Sequence, residues 1–174
     1  GARLAAAACA RAAMALAEPP AGLEFWRSDD WVDIWAGVPL KVPAAGSAAC
    51  LVRDALLPGT NVNFPQITEI CERCSDAPPE TAEAVRLLVC ALRDPHAPIR
   101  KKLKALTISN EMMYDDSAVA TFQRSDGLRE ALEKLRATRE SGLGAPMDEN
   151  IRMLATEIDK ICFVQSRVQR GGDP

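Results

Sequence analysis

Residues 84–108 read AVRLLVCALRDPHAPIRKKLKALTI. Val85, Leu88, Val89 and Leu92 recur at helical spacing, which marks one buried face. Asp94-Pro95-His96-Ala97-Pro98 then turns the chain, because neither proline continues a helix. A second helix is predicted to start at Pro98. Its inward face is read as Ile99, Leu103, Leu106 and Met113, at i, i+4, i+7 and i+14. Two helices joined by a tight turn set an all-α expectation. The start of the second helix also holds Arg100, Lys101, Lys102 and Lys104, four cations within five positions.

The same pattern runs outward from this pair. On its N-terminal side, Ser47 is placed to cap a helix reaching Leu57, which Pro58-Gly59 ends. Residues 65–74 read as a helix with Ile67, Ile70 and Cys71 inward. Pro78-Pro79 opens the helix that ends at Arg93. On the C-terminal side, 117–123 is a short helix. Ser125 or Asp126 caps the next one, with Leu128, Leu132 and Leu135 as its stripe. A last helix spans 147–163, with Ile151, Leu154, Ile158 and Ile161 or Cys162 inward. Period-two alternation is absent and aromatic residues make up only 5% of the chain, so no strand is predicted. Seven or more helices on short turns imply stacked pairs or a superhelix.

The leading segment is different. An Ala-rich stretch over 2–17 reads as a helix rather than a targeting segment, because Arg11 interrupts its apolar run. Residues 23–35, LEFWRSDDWVDIW, hold all three tryptophans. They read as a short helix with Trp31, Ile34 and Trp35 on one side. Such a helix either docks on the rest of the fold or offers Trp31 and Trp35, flanked by acids, to an adaptor partner. The linker AGVPLKVPAAG follows. The expected organisation is an N-terminal extension over 1–46, a helical domain over 47–164 and a tail over 165–174.

Composition narrows function. A net charge of −3 argues against bulk nucleic-acid binding, which needs a dominant basic surface. The six cysteines are irregularly spaced among apolar neighbours, and read as reduced, buried thiols without metal. Cys71-Glu72-Arg73-Cys74 has C-x-x-C spacing, but no second pair exists and the single histidine, His96, lies in a turn. No phosphate-binding, dinucleotide-binding or nucleophile-elbow glycine motif is present. Asp29-Asp30 and Asp115-Asp116 read as helix caps and solvation. A non-enzymatic chain without cofactor is expected.

That leaves the cations. Lys101 and Lys104 are i,i+3 neighbours and Arg100 and Lys104 are i,i+4, so they share a helix edge. Such an edge either solvates one side of the helix or converges on a multiply phosphorylated headgroup.

The helix pair 84–108 resembles the central pair of the ENTH/VHS superfamily of membrane-trafficking adaptors. Residues 50–61, CLVRDALLPGTN, resemble that family's first helix. Residues 142–163, GLGAPMDENIRMLATEIDKICF, resemble the last helix of its tepsin-type branch. The likeness covers about 48–163 and implies a right-handed superhelix of seven to eight helices. It carries Arg53, Lys101 and Lys104 onto the phosphoinositide-binding positions of the epsin-type domains, with Arg100 beside them. Two features depart from that branch. The segment before the first helix is GVPLKVPAAGSAA rather than a basic amphipathic helix, and Ala91 stands where a basic residue is expected. The resemblance therefore implies a tepsin-like accessory domain of adaptor-coat transport. It would be a cytoplasmic monomer, peripheral on trans-Golgi, endosomal or coated-vesicle membranes, with adaptor-complex or coat proteins as partners. A phosphoinositide-binding endocytic domain and an armadillo- or HEAT-like peptide scaffold are the alternatives.

Overall fold

The computed structural model describes residues 32–33, 38–39 and 43–165. The chain separates into two units, Gly1–Lys41 and Val42–Pro174. The described part of the first unit is a short antiparallel ladder between β1 (Val32–Asp33) and β2 (Val38–Pro39), with Val32 opposite Pro39 and Asp33 opposite Val38. At Val32–Asp33 this corrects the helix expected over 23–35, and at Val38–Pro39 the expected linker. Val32 and Val38 are β-branched and favour extended chain, while Gly37 and Pro39 oppose helix continuation. Pro39 is tolerated in so short a ladder because an edge strand leaves its missing N–H unneeded. Trp31, Ile34, Trp35 and the Ala-rich stretch lie outside the described residues.

The described residues of the second unit form an all-α fold with seven α-helices and a π-helical turn. Helix α1 (Ala48–Ala55) is capped by Ser47, whose hydroxyl oxygen accepts from the Cys50 N–H at 3.2 Å. The Glu80 carboxylate accepts from the Ala48 N–H at 2.7 Å, placing an anion at this helix N-terminus. Helix α2 (Phe64–Asp76) is capped by Asn63 and carries a proline in its first turn. Helix α3 (Pro78–Arg93) opens on its proline pair and ends at Asp94, whose carboxylate accepts from the His96 N–H at 2.8 Å. That bond shapes the turn leading into α4 (Ile99–Met112), and His96 is exposed in it.

Helix α5 (Asp116–Gln123) is capped by Asp115. Helix α6 (Leu128–Arg136) starts from Gly127 in the left-handed region, rather than from the expected Ser125 or Asp126. The Ser125 hydroxyl instead donates back to the Thr121 carbonyl at 3.0 Å. Helix α7 (Ala145–Asp159) begins two residues before the expected start and passes into a π-helical turn, Lys160–Gln165. The buried Asp148 carboxylate accepts from the Ser141 N–H and hydroxyl, tying α7 to the loop before it. None of the helices among the described residues is long and apolar enough to cross a membrane.

Helix α3 is central. It packs against α1, α2, α4, α5 and α6, while α4 also meets α2 and α7, and α6 packs on α7. Leu88, Leu92, Leu106, Ile108, Phe122, Leu132, Ile151 and Ile158 are fully buried where these helices meet. Each such side chain contributes about 1.5–3 kcal/mol by leaving water.

The buried face of helix α4 is only partly the one read from the sequence: Leu106 and Met113 are buried as expected, but the face extends to one side. Its buried residues are Lys101, Ala105, Leu106, Ile108, Ser109 and Met112, whereas Ile99 and Leu103 are only half-buried. Positions 101, 105, 108 and 112 form a stripe of the same period as the expected one. Alanine, serine and the stem of a lysine read as polar or neutral by composition, so the stripe was hidden. Lysine can occupy such a position because its four methylenes line apolar surface.

Candidate functional site

The cations singled out by sequence are placed very differently by the fold. Arg100 is exposed at the start of α4. Lys101 is 8% exposed, which corrects the expectation of a solvated side chain. Lys104 leans back toward the end of α1. Its ammonium donates to the Leu57 carbonyl and, at 2.8 Å, to the Thr60 hydroxyl oxygen. The Thr60 hydroxyl lies 2.9 Å from the Ala55 carbonyl and 2.7 Å from that of Leu57. Thr60 thus serves the last carbonyl of α1, that of Ala55, while Lys104 holds the Leu57 carbonyl in the turn just beyond the helix, where a cation also suits the helix dipole. Burial pushes the Lys104 pKa down. Lys102 is shifted the same way, by burial first and by nearby Lys134, against the opposing pull of Asp94.

Arg53, on α1, is paired within its own helix. Its Nε and Nη2 donate to the Asp54 carboxylate at 2.9 and 2.8 Å, and Nη2 also reaches the Cys50 sulfur at 3.2 Å. The Asp54 hydrogen bond raises its pKa. Of the four candidate headgroup ligands, then, one is exposed, one is buried, one holds the turn after α1 and one holds a neighbouring carboxylate.

A second feature escaped the sequence reading. Helices α2 and α4 border an open groove of about 590 Å³. Ile67 and Cys71 give it an apolar floor, and Phe64 and Tyr114 stand at its mouth. These two aromatics are 74% and 87% exposed, an unusual state for side chains of that size. Glu72, Asp76 and Glu111 supply its charge, and among the described residues no lysine or arginine lines it. At one end the Ser75 hydroxyl donates to the Asp115 carboxylate at 3.0 Å, linking α2 to the turn after α4. The signal that could have found it is a second stripe on α2, Phe64, Thr68, Cys71 and Ser75 at i, i+4, i+7 and i+11.

The C-x-x-C pair is divided by this groove. Cys71 is half-buried in its floor, and its pKa is raised by burial and then by Glu111, Asp115 and Glu72. Cys74 lies in the core, with its thiol pushed up to about 11. All five described cysteines are free thiols, and no cluster of His, Cys, Asp or Glu with the makings of a metal site occurs among the described residues. A further open depression between α6 and α7 mixes Glu133, Glu149 and Glu157 with Arg136, Arg152 and Lys160, so its charges offset one another.

No family model, curated protein or solved structure matches this chain.

Proposed function

We propose that the chain is a non-enzymatic ENTH/VHS-like adaptor domain of the tepsin kind, a right-handed helical superhelix that binds proteins in coat-mediated transport. It would act peripherally at trans-Golgi or endosomal membranes, with adaptor-complex or coat proteins as partners. The observation that carries the reading is the fate of Lys104. A headgroup would have to draw its ammonium away from the Leu57 carbonyl and Thr60, releasing the turn that follows α1. The pairing of Arg53 with Asp54 and the burial of Lys101 support the same preference for protein over lipid. So does the likeness of residues 48–163 to the family.

Two measurements test it. In liposome sedimentation across phosphoinositides, binding is expected to be weak, unselective among headgroups and lost above physiological salt. Each basic residue near an anionic surface is worth only about 1 kcal/mol, and among the described residues no helix is apolar enough to cross a membrane. In cells, a tagged chain is expected to lie on coated trans-Golgi or endosomal membranes and to leave them when the adaptor complex is depleted. Tight, salt-resistant, headgroup-selective binding would establish the epsin-type alternative. A distribution indifferent to every coat would favour a general peptide scaffold.

A further inference from the structure

The groove between α2 and α4 has three properties that together describe an occupant. Its floor is apolar, through Ile67 and Cys71. Its mouth keeps two aromatic rings, Phe64 and Tyr114, in water. Its lining charges are all negative. An anionic bilayer or a nucleic acid would bring its own negative charge against Glu72, Asp76 and Glu111 and be repelled. An uncharged apolar segment would fill the floor but leave those carboxylates desolvated without a partner. A positively charged segment with one apolar side chain satisfies both: the side chain enters between Phe64 and Tyr114, and flanking lysines or arginines meet the carboxylates. An open groove of about 590 Å³ bordered by two helices suits a short linear segment laid along it.

We infer that this groove docks a short basic segment of a partner protein, anchored by one aliphatic or aromatic side chain between Phe64 and Tyr114. The inference rests on reading the chain as a protein-binding module and adds the site and the chemistry of its partner. Two of these carboxylates, Glu111 and Glu72, are also felt at the groove floor, where burial first and then Glu111, Asp115 and Glu72 raise the Cys71 pKa. The Ser75–Asp115 bond fixes the spacing of the walls before any partner arrives. Arginine stacked on the exposed rings would add a cation–π contact.

The probe is a fluorescein-labelled peptide with one tryptophan flanked on each side by lysines, compared with its charge-reversed form in which every lysine is glutamate. Fluorescence anisotropy with the intact chain at low salt is expected to give saturable binding of the basic peptide only. Glu111→Lys and Tyr114→Ala are each expected to weaken it at least fivefold, and raised salt to weaken it further. Glu149→Lys, in the mixed-charge depression, is the control and should leave it unchanged. Circular dichroism melts of all variants establish that each is folded. Equal binding of both peptides, no binding of the basic one, or indifference of folded Glu111→Lys and Tyr114→Ala would each overturn the inference. Self-association of the chain that Tyr114→Ala abolishes would also overturn it, by giving the groove to a second copy. None of these results depends on coat recruitment, so failure here leaves that reading standing.

Discussion

Gly127 and Gly59 form a natural experiment. Both are exposed, with φ of +71° and +73°, a conformation that L side chains rarely adopt. A Cβ on Gly59 would meet nothing within 4 Å. A Cβ on Gly127 would fall 2.7 Å from Nε and 2.9 Å from Cζ of Arg93. The left-handed backbone costs an alanine about 1–2 kcal/mol at either site. At Gly127 the Arg93 guanidinium must also move out of its place, for roughly another 1 kcal/mol if it leaves a favoured rotamer. The gain from a less flexible unfolded chain is common to both substitutions and cancels between them. In a protein of this length 1 kcal/mol moves Tm by roughly 2–4 °C. Gly59→Ala is therefore expected to lower Tm by about 2–8 °C, and Gly127→Ala by about 2–4 °C more. Thermal melts followed by circular dichroism at 222 nm read both. In an Arg93→Ala background the extra loss at Gly127 should disappear. Equal losses at the two glycines, or no relief from Arg93→Ala, would refute the packing of Arg93 against the start of α6.

Three further outcomes follow from the helices. Lys101→Ala should destabilise by about 1–2 kcal/mol through lost packing of its stem, and half-buried Leu103→Ala by about 1 kcal/mol, while Ile108→Asp should not fold; a silent Lys101→Ala in thermal melts would mean that α4 is turned the other way. Cys74 and Cys162, with thiols pushed up to about 11 and about 12 by burial, should resist alkylation in the native state. Their folded pKa values exceed the unfolded value near 9, so their contribution to stability is complete below pH 9 and is lost as pH climbs toward 11–12. Denaturant titrations across that range should show the decline, which Cys162→Ala should reduce. Asp115 has a lowered pKa, chiefly through its hydrogen bonding to Ser117, so its contribution is present above the unfolded carboxylate range and fades as pH falls through the folded value. Asp115→Ala should remove a cap worth about 1 kcal/mol at neutral pH and flatten that part of the acid limb.

Where the sequence carried its own punctuation, the fold was legible. Ser47, Pro78-Pro79 and the Asp94–Pro98 turn mark helix ends by local chemistry, and helices α1 and α3 start and stop within a residue or two of where those signals put them. Gly127 was passed over because Ser125 and Asp126 both offer capping oxygens, and only the fold shows Ser125 bonded backward to Thr121. Lys101 was misplaced because periodicity counts residue types, whereas a lysine stem packs as a hydrocarbon. The roles of Lys104 and Arg53 depend on acceptors that α4 meets only in three dimensions, or on a choice between solvent and a neighbouring carboxylate. No pattern along the chain encodes either. The groove was missed for a related reason: Phe64 and Tyr114 are fifty positions apart in number, and each alone reads as an ordinary aromatic.

The reach of Lys104 also bears on how the chain is made. Helix α1 has eight residues, short of the roughly 12–15 at which an isolated helix begins to hold itself together in water. Its last carbonyl, that of Ala55, is closed by Thr60, but the turn that follows is held through Leu57 by an ammonium 47 positions further on. During synthesis, then, the turn after α1 emerges without the cation that holds it and waits until α4 has been added. Once α4 docks, the amides of residues 48–63 should become slow to exchange together with those of α4, as a single cooperative unit whose two halves leave the ribosome at different times.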